Sequence, residues 1–211
     1  DRDEPQLKSW LAHAQTLGVT AALAGNIGHL SLLWDTGLRV YGDYGLNVFN
    51  SRAVNYLRQK GLSSACLSFE LRFPQLRDIR KVLPAEAIVY GRLPLMITEN
   101  CLVQNETGCR LCEYGAAVPQ QAPCRKSNFL QDRTGAEFPL LPAYGHRTEI
   151  QNRLPVWLAD KPEWKRCALA FARLRFTTET PAECAAVYRA YQSGAPAPGA
   201  FTRGLYYRGV D

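Results

Sequence analysis

The sequence predicts an α/β protein assembled from parallel (β/α) units. Three observations carry this. Short, mostly apolar runs alternate with helix-length segments from residue 5 to residue 91. Successive strands fall about 20 residues apart, room for one helix and two short loops. The runs are too apolar throughout for strands with a wet face, so both sheet faces are expected to be covered. The spacing suits a (β/α) barrel or a doubly wound sheet.

The elements follow in order. PQLKSWLAHAQTLG reads as a helix with Pro5 near its start and Gly18 just past its end. VTAALA is the first strand, NIGHLSLLWDTG a short helix closed by Gly37, and LRVYG the second strand. Asn50 and Ser51 can cap a helix over RAVNYLRQKG, which stops at Gly61. Strand SACLSFE, helix PQLRDIRKVL and strand AIVYG complete the regular part. Segments 19–24, 38–41, 65–69 and 87–90 are expected to be parallel neighbours in one sheet. AGNIGHL and YGDYGLN form an internal echo after the first two strands, where glycines suit tight turns and Asn26 and Asp43 could face a common site.

From 98 to 133 the periodicity stops, and the segment is rich in Cys, Gly, Gln, Asn and Pro. A long loop without elements inside a compact domain is uncommon unless it has a job or a cross-link. Regularity resumes with AEFPLLPAYG, a short strand flanked by prolines, then LPVWLAD, KRCALAFARLRF and a helix over PAECAAVYRAYQ. The reading is one domain over residues 1–192 with a Cys-rich insertion at 98–133. A Pro/Gly-rich arm over 193–211 is expected to lie on the surface.

Of 211 residues, 46% are hydrophobic and 21% charged, which excludes a disordered chain. No apolar run approaches the roughly 20 residues of a membrane span. The charged start, DRDEPQLKSW, lacks a signal segment, so a cytoplasmic protein is expected, cut from something longer. The net charge of +6 is scattered over helix faces, for example Arg72, Arg77, Arg80 and Lys81; it is a mild bias toward anionic partners, and solvated helix faces outrank nucleic-acid binding as its reading.

Seven cysteines are many for such a chain, and without a secretory signal metal binding or buried thiols outrank disulfides. Cys101, Cys109, Cys112 and Cys124 give C-x7-C-x2-C-x11-C. Two thiolates at the C-x2-C spacing can share one metal through a tight turn. Zinc ribbons use two such pairs, whereas iron–sulfur clusters accept less regular spacing, and incidental thiols are the bland alternative. Cys66, Cys167 (at the start of the last apolar strand) and Cys184 read as small buried hydrophobes.

Polar residues at strand ends are Asn26, Asp43 with Asn47, Glu70 and Arg92. Glu70 could be a base or ligand, or simply cap the helix near Pro74. Arg92 could clamp an anionic substrate, or form a surface ion pair. Asp43, Glu70 and Arg92 are therefore the candidate catalytic set. His13, His29 and His146 make no HExxH motif, and no GxSxG, Walker loop or GxGxxG is present. The sequon at Asn105 reads as coincidental in an intracellular chain.

GDYGLNVFNS, LSFEL, EAIVYGRLPLM, the following ENC and QDRTGAEFPLL resemble the peptidases of unknown catalytic type, family 32, the collagenase-like peptidases. The family signature sets a glutamate five residues before a glycine, then a small residue, an aliphatic residue and a cysteine. Glu86 and Gly91 fit, while Arg92 and Pro94 stand at the small residue and the cysteine, which marks a divergent branch. The resemblance implies the later part of a TIM-like barrel whose remainder lies in a longer protein. It also implies that Cys101, Cys109, Cys112 and Cys124 hold a [4Fe–4S] cluster, with zinc as the alternative. Family members take part in oxygen-independent hydroxylation of RNA bases or of a quinone precursor, and others were named collagenases. The expected function is thus an iron–sulfur enzyme or subunit acting on RNA or a small aromatic substrate. A protease, or a binding module whose metal only pins a loop, are the alternatives.

Overall fold

The computed structural model describes residues 4–111 and 120–209. It divides into two compact units. The described residues up to Val89, Leu158–Leu174 and those from Arg203 on form the first; those in Tyr90–Trp157 and Arg175–Thr202 form the second.

In chain order the elements are α1 (Glu4–Thr16), β1 (Ala21–Ala24), α2 (Leu30–Trp34), β2 (Arg39–Gly42), α3 (Ser51–Gln59), β3 (Ser64–Cys66), α4 (Phe73–Asp78) and β4 (Ala85–Gly91). There follow β5 (Pro94–Thr98), α5 (Leu102–Thr107), β6 (Asn128–Gln131), β7 (Glu137–Ala143), β8 (Arg147–Gln151), β9 (Val156–Trp157), β10 (Phe171–Arg175) and α6 (Pro181–Ser193).

The first unit carries the sheet order β1-β2-β3-β4-β10. Strands β1 to β4 are parallel neighbours, as their spacing in the chain predicts, with Ala21 opposite Arg39, Gly42 opposite Ala65 and Cys66 opposite Glu86. β3 is buried throughout, and β4 is buried except at Glu86, with Ala87, Ile88 and Val89 all at most 1% exposed. Helix α3 shows how locally the elements are encoded. Asn50 Oδ1 accepts hydrogen bonds from the Arg52 and Ala53 amides, each 3.0 Å, and Val54 and Leu57 turn inward one turn later. Gly61 then takes the left-handed conformation that ends the helix.

Two glycines of the echo, Gly42 and Gly45, serve close approach. None of Gly25, Gly28, Gly42 and Gly45 has positive φ. A Cβ on Gly45 would run into the backbone of Gly25, because the loops after β1 and β2 pass directly against each other.

The second unit is where the structure departs most from the sequence reading. Segment 98–133 is not devoid of elements, since it contains α5 and β6. An antiparallel sheet of order β5-β8-β7-β6 is built from β5 leading into it, β6 within it, and β7 and β8 after it. β6 and β7 form a hairpin whose turn is set by Asp132 Oδ1, which accepts from the Thr134 amide and hydroxyl and the Ala136 amide, with Gly135 left-handed. The prolines of AEFPLLPAYG lie inside β7, opposite Phe129 and Thr148, and do not flank it. Each removes one donor from the ladder, which the remaining pairs sustain.

Three smaller corrections have local causes. α4 stops at Asp78 and does not reach Leu83, because Ile79 turns extended and the Lys81 ammonium bonds the terminal carbonyls of Leu76, Arg77 and Ile79. Cys167 follows a single 3-10 turn, Trp164–Arg166, and the strand begins only at Phe171. The Pro/Gly-rich tail is anchored in the first unit by Tyr206, 1% exposed, which stacks on Phe73 and donates its hydroxyl to the Ile88 carbonyl.

The loop contact is testable. Gly45→Ala is expected to cost about 1–3 kcal/mol in urea unfolding, as overpacking does, whereas Gly37→Ala acts only through its positive φ because no atom lies in the way.

Candidate functional site

Register places three polar side chains in one row of the first unit. Cys66 on β3 pairs with Glu86 on β4, and Gly42 on β2 pairs with Ala65, so Asp43 follows one step on, level with Cys66. Paired residues on adjacent strands share a face. Arg173 on β10 closes the row: its Nη1 meets Asp43 Oδ1 and its Nε meets Glu86 Oε1. All three ionic side chains are about one-fifth exposed, at 19%, 20% and 17%, so the pair of acids shares one cation in a largely dry setting.

Each member is held from its own element. Asp43 Oδ1 also accepts the Tyr44 amide at 2.8 Å, and the Asp43 amide donates to the Ala24 carbonyl at 2.8 Å, which fixes the loop after β2. Burial alone would lower the Arg173 pKa, but the hydrogen bond it donates to Asp43 and the negative charges around it raise it. Cys66 lies beneath. Burial pushes its thiol up first, the charges of Glu86 and Asp43 push it further, and Arg173 pulls the other way without prevailing. Cys66 is therefore a protonated structural thiol and no nucleophile. Two acids against one guanidinium leave carboxylate oxygens in excess, so this face offers acceptors to N–H and O–H donors.

The other strand-end candidates separate. Asn26 Oδ1 accepts the Gly28 amide at 2.8 Å and serves its own turn, and Asn47 takes a left-handed conformation after a 3-10 turn. Glu70 is half-buried, its amide on Ser68 Oγ at 3.3 Å, and no described side chain pairs with its carboxylate. It does not cap α4, since Gln75 Oε1 takes the Arg72 amide at 2.9 Å. Arg92 falls in the second unit, donating to Thr178 Oγ1 and to the carbonyls of Asn152 and Arg153. Sequence reasoning missed Arg173 altogether and took Glu86 only as a signature residue. The available signal was a lone acid inside the otherwise apolar strand AEAIVYG and an arginine in the middle of FARLR.

The second unit also gathers thiols. Cys101 and Cys124 belong to one buried cluster with Val103, Ala122, Leu140 and Ile150. Cys101 caps α5, its sulfur accepting the Gln104 amide at 3.4 Å. Cys109 is half-buried just beyond α5, after the left-handed Gly108, and Cys112 lies outside the described residues. Among the described residues, no three His, Cys, Asp or Glu side chains converge as a metal-holding group.

The chain matches the model of Peptidase family U32 over residues 1–139 and belongs to that family. No curated protein and no solved structure matches it. The signature glycine has a visible cause: Gly91 has φ +121°, and a Cβ there would strike the Arg175 carbonyl.

Two outcomes follow. Arg173→Leu strands two carboxylates and is expected to cost on the order of 3 kcal/mol, more than Asp43→Asn or Glu86→Gln, and the triple variant should recover much of the loss in urea melts. For Cys66 the folded thiol pKa is raised, so its contribution to stability is complete below the unfolded thiol pKa and is lost as pH rises above about 8.5. Wild type should lose about 1.4 kcal/mol per pH unit relative to Cys66→Ala above that point.

Proposed function

We propose that this U32 protein is an iron–sulfur enzyme, or a subunit of one, acting in oxygen-independent hydroxylation or modification of RNA or a small aromatic substrate. The carrying observation is that Cys101 and Cys124, 23 positions apart in sequence, share one buried cluster. Cys109 and Cys112, at C-x2-C spacing, complete the donor set. Soft thiolates suit an iron–sulfur cluster, with zinc as the alternative, and an amide already directed at the Cys101 sulfur is the kind of contact that tunes such a site. A [4Fe–4S] cluster bound there would supply electron transfer. The chain's own part is binding and orientation: Asp43 and Glu86 accept donor groups of the substrate, Arg173 fixes both, and Glu70 is the carboxylate left to move a proton.

In this reading the first unit is the later part of a TIM-like barrel in a cytoplasmic protein. Its continuation would lie at β1, whose only described neighbour is β2, where Val19 and Leu23 are 44% and 54% exposed and α1 buries none of its residues. No described helix is long and apolar enough to cross a membrane. Proteolysis, which the family name describes, is the second reading. It lacks an activated thiol in the first unit, where Cys66 stays protonated.

Anaerobic purification tests the proposal. Iron and acid-labile sulfide should be present in equal amounts, and Cys101→Ser, Cys109→Ser, Cys112→Ser and Cys124→Ser should each lose most of the iron. Protein that binds no iron anaerobically, or variants that keep it, would sink the proposal, and gelatin cleavage by metal-free protein would favour the peptidase.

A further inference from the structure

We propose that the second unit carries a separate binding site for a small organic carboxylate with an apolar body, in the cleft between Arg92, α6 and residues 195–201. The cleft has a volume of about 470 Å³, within the range of small-ligand sites. Its apolar wall includes Pro155, Trp157, Val187, Ala190, Pro196 and Phe201. Small side chains on this face of α6 leave the room.

The polar groups on the wall decide the ligand's charge. Glu179 is occupied: Oε1 accepts the Tyr90 hydroxyl at 3.0 Å, and Oε2 accepts the Thr177 and Thr178 amides at 2.7 and 3.0 Å. Glu183 closes the capping box of α6, taking the Thr180 amide and hydroxyl on Oε2. Tyr90 spends its proton on Glu179, and burial followed by that carboxylate pushes its pKa up, so it stays a phenol.

Arg92 is different. Its Nε donates to Thr178 Oγ1 at 3.3 Å and its Nη1 to the Asn152 and Arg153 carbonyls, all neutral acceptors. No described carboxylate pairs with it, and Nη2 keeps two N–H donors for a ligand. A guanidinium pinned in this way loses little freedom on binding, which favours a carboxylate even through one nitrogen. Glu179 and Glu183 select against multiply charged anions such as phosphates, leaving a monoanion whose apolar body covers Trp157 and Phe201. None of the cysteines takes part, so this site stands or falls apart from the iron–sulfur reading.

The whole chain should be titrated by calorimetry with naphthalene-2-carboxylate and, as control, naphthalene-2-carboxamide. Saturable binding is expected, at least tenfold tighter for the carboxylate. Arg92→Met should weaken it at least tenfold. Because that change also frees two carbonyls, Ala186→Phe is the second variant, filling the cleft from an exposed helix position and expected to weaken binding at least tenfold with an unchanged circular dichroism melt. No saturable binding, equal affinity for acid and amide, or full binding by Ala186→Phe would overturn the site. Tighter binding of an acetylated tetrapeptide acid than of the naphthoate would overturn the small-molecule assignment in favour of a chain terminus.

Discussion

One guanidinium shared by two carboxylates governs the first unit. Asp43, Glu86 and Arg173 come from β2 or its end, β4 and β10, so the cation ties together strands that do not all neighbour one another in the sheet. Removing charges from water is costly unless partners are close and fixed. Here the fixing is done by register: the pairing of Cys66 with Glu86 and the turn amide on Asp43 hold both acids before the arginine is added. The arginine is also the last to be made, 130 residues after Asp43. The first unit therefore completes this ion cluster only through a contact of long sequence separation, the kind that slows folding because loop closure precedes reward.

The chemistry of the two units is complementary in kind. The first offers hard oxygen acceptors and a thiol kept protonated beneath them. The second offers soft thiols in a cluster of aliphatic residues, with one thiol already receiving an amide. Hard and soft donors suit different partners, substrate N–H and O–H groups in one case and a soft metal centre in the other.

The parallel strands were legible because their pattern is local: apolar runs of the right length, capped helices and glycine stops all act within a few residues. Asn50 and Gly61 around α3 are examples. The antiparallel sheet was not legible. β7 carries two prolines, and exposed Phe129 and Leu130 give β6 no alternation. Asp43 was readable as a strand-end acid, but its counter-charge was not, since nothing local to FARLR says which acid Arg173 will meet. Gly45 was visible as part of a motif, yet its reason, one backbone lying against another, exists only in three dimensions.

The arginine-centred triad also orders the routes by which sequences of this kind can drift. Losing Arg173 first leaves two buried anions, a step that selection on stability removes. Losing Asp43 or Glu86 to its amide first leaves a one-to-one pair, and only then does the cation become dispensable. Relatives that have discarded the charge should accordingly pass through lineages with one amide and an intact arginine, and a chain keeping both acids without the arginine should be absent from the tree.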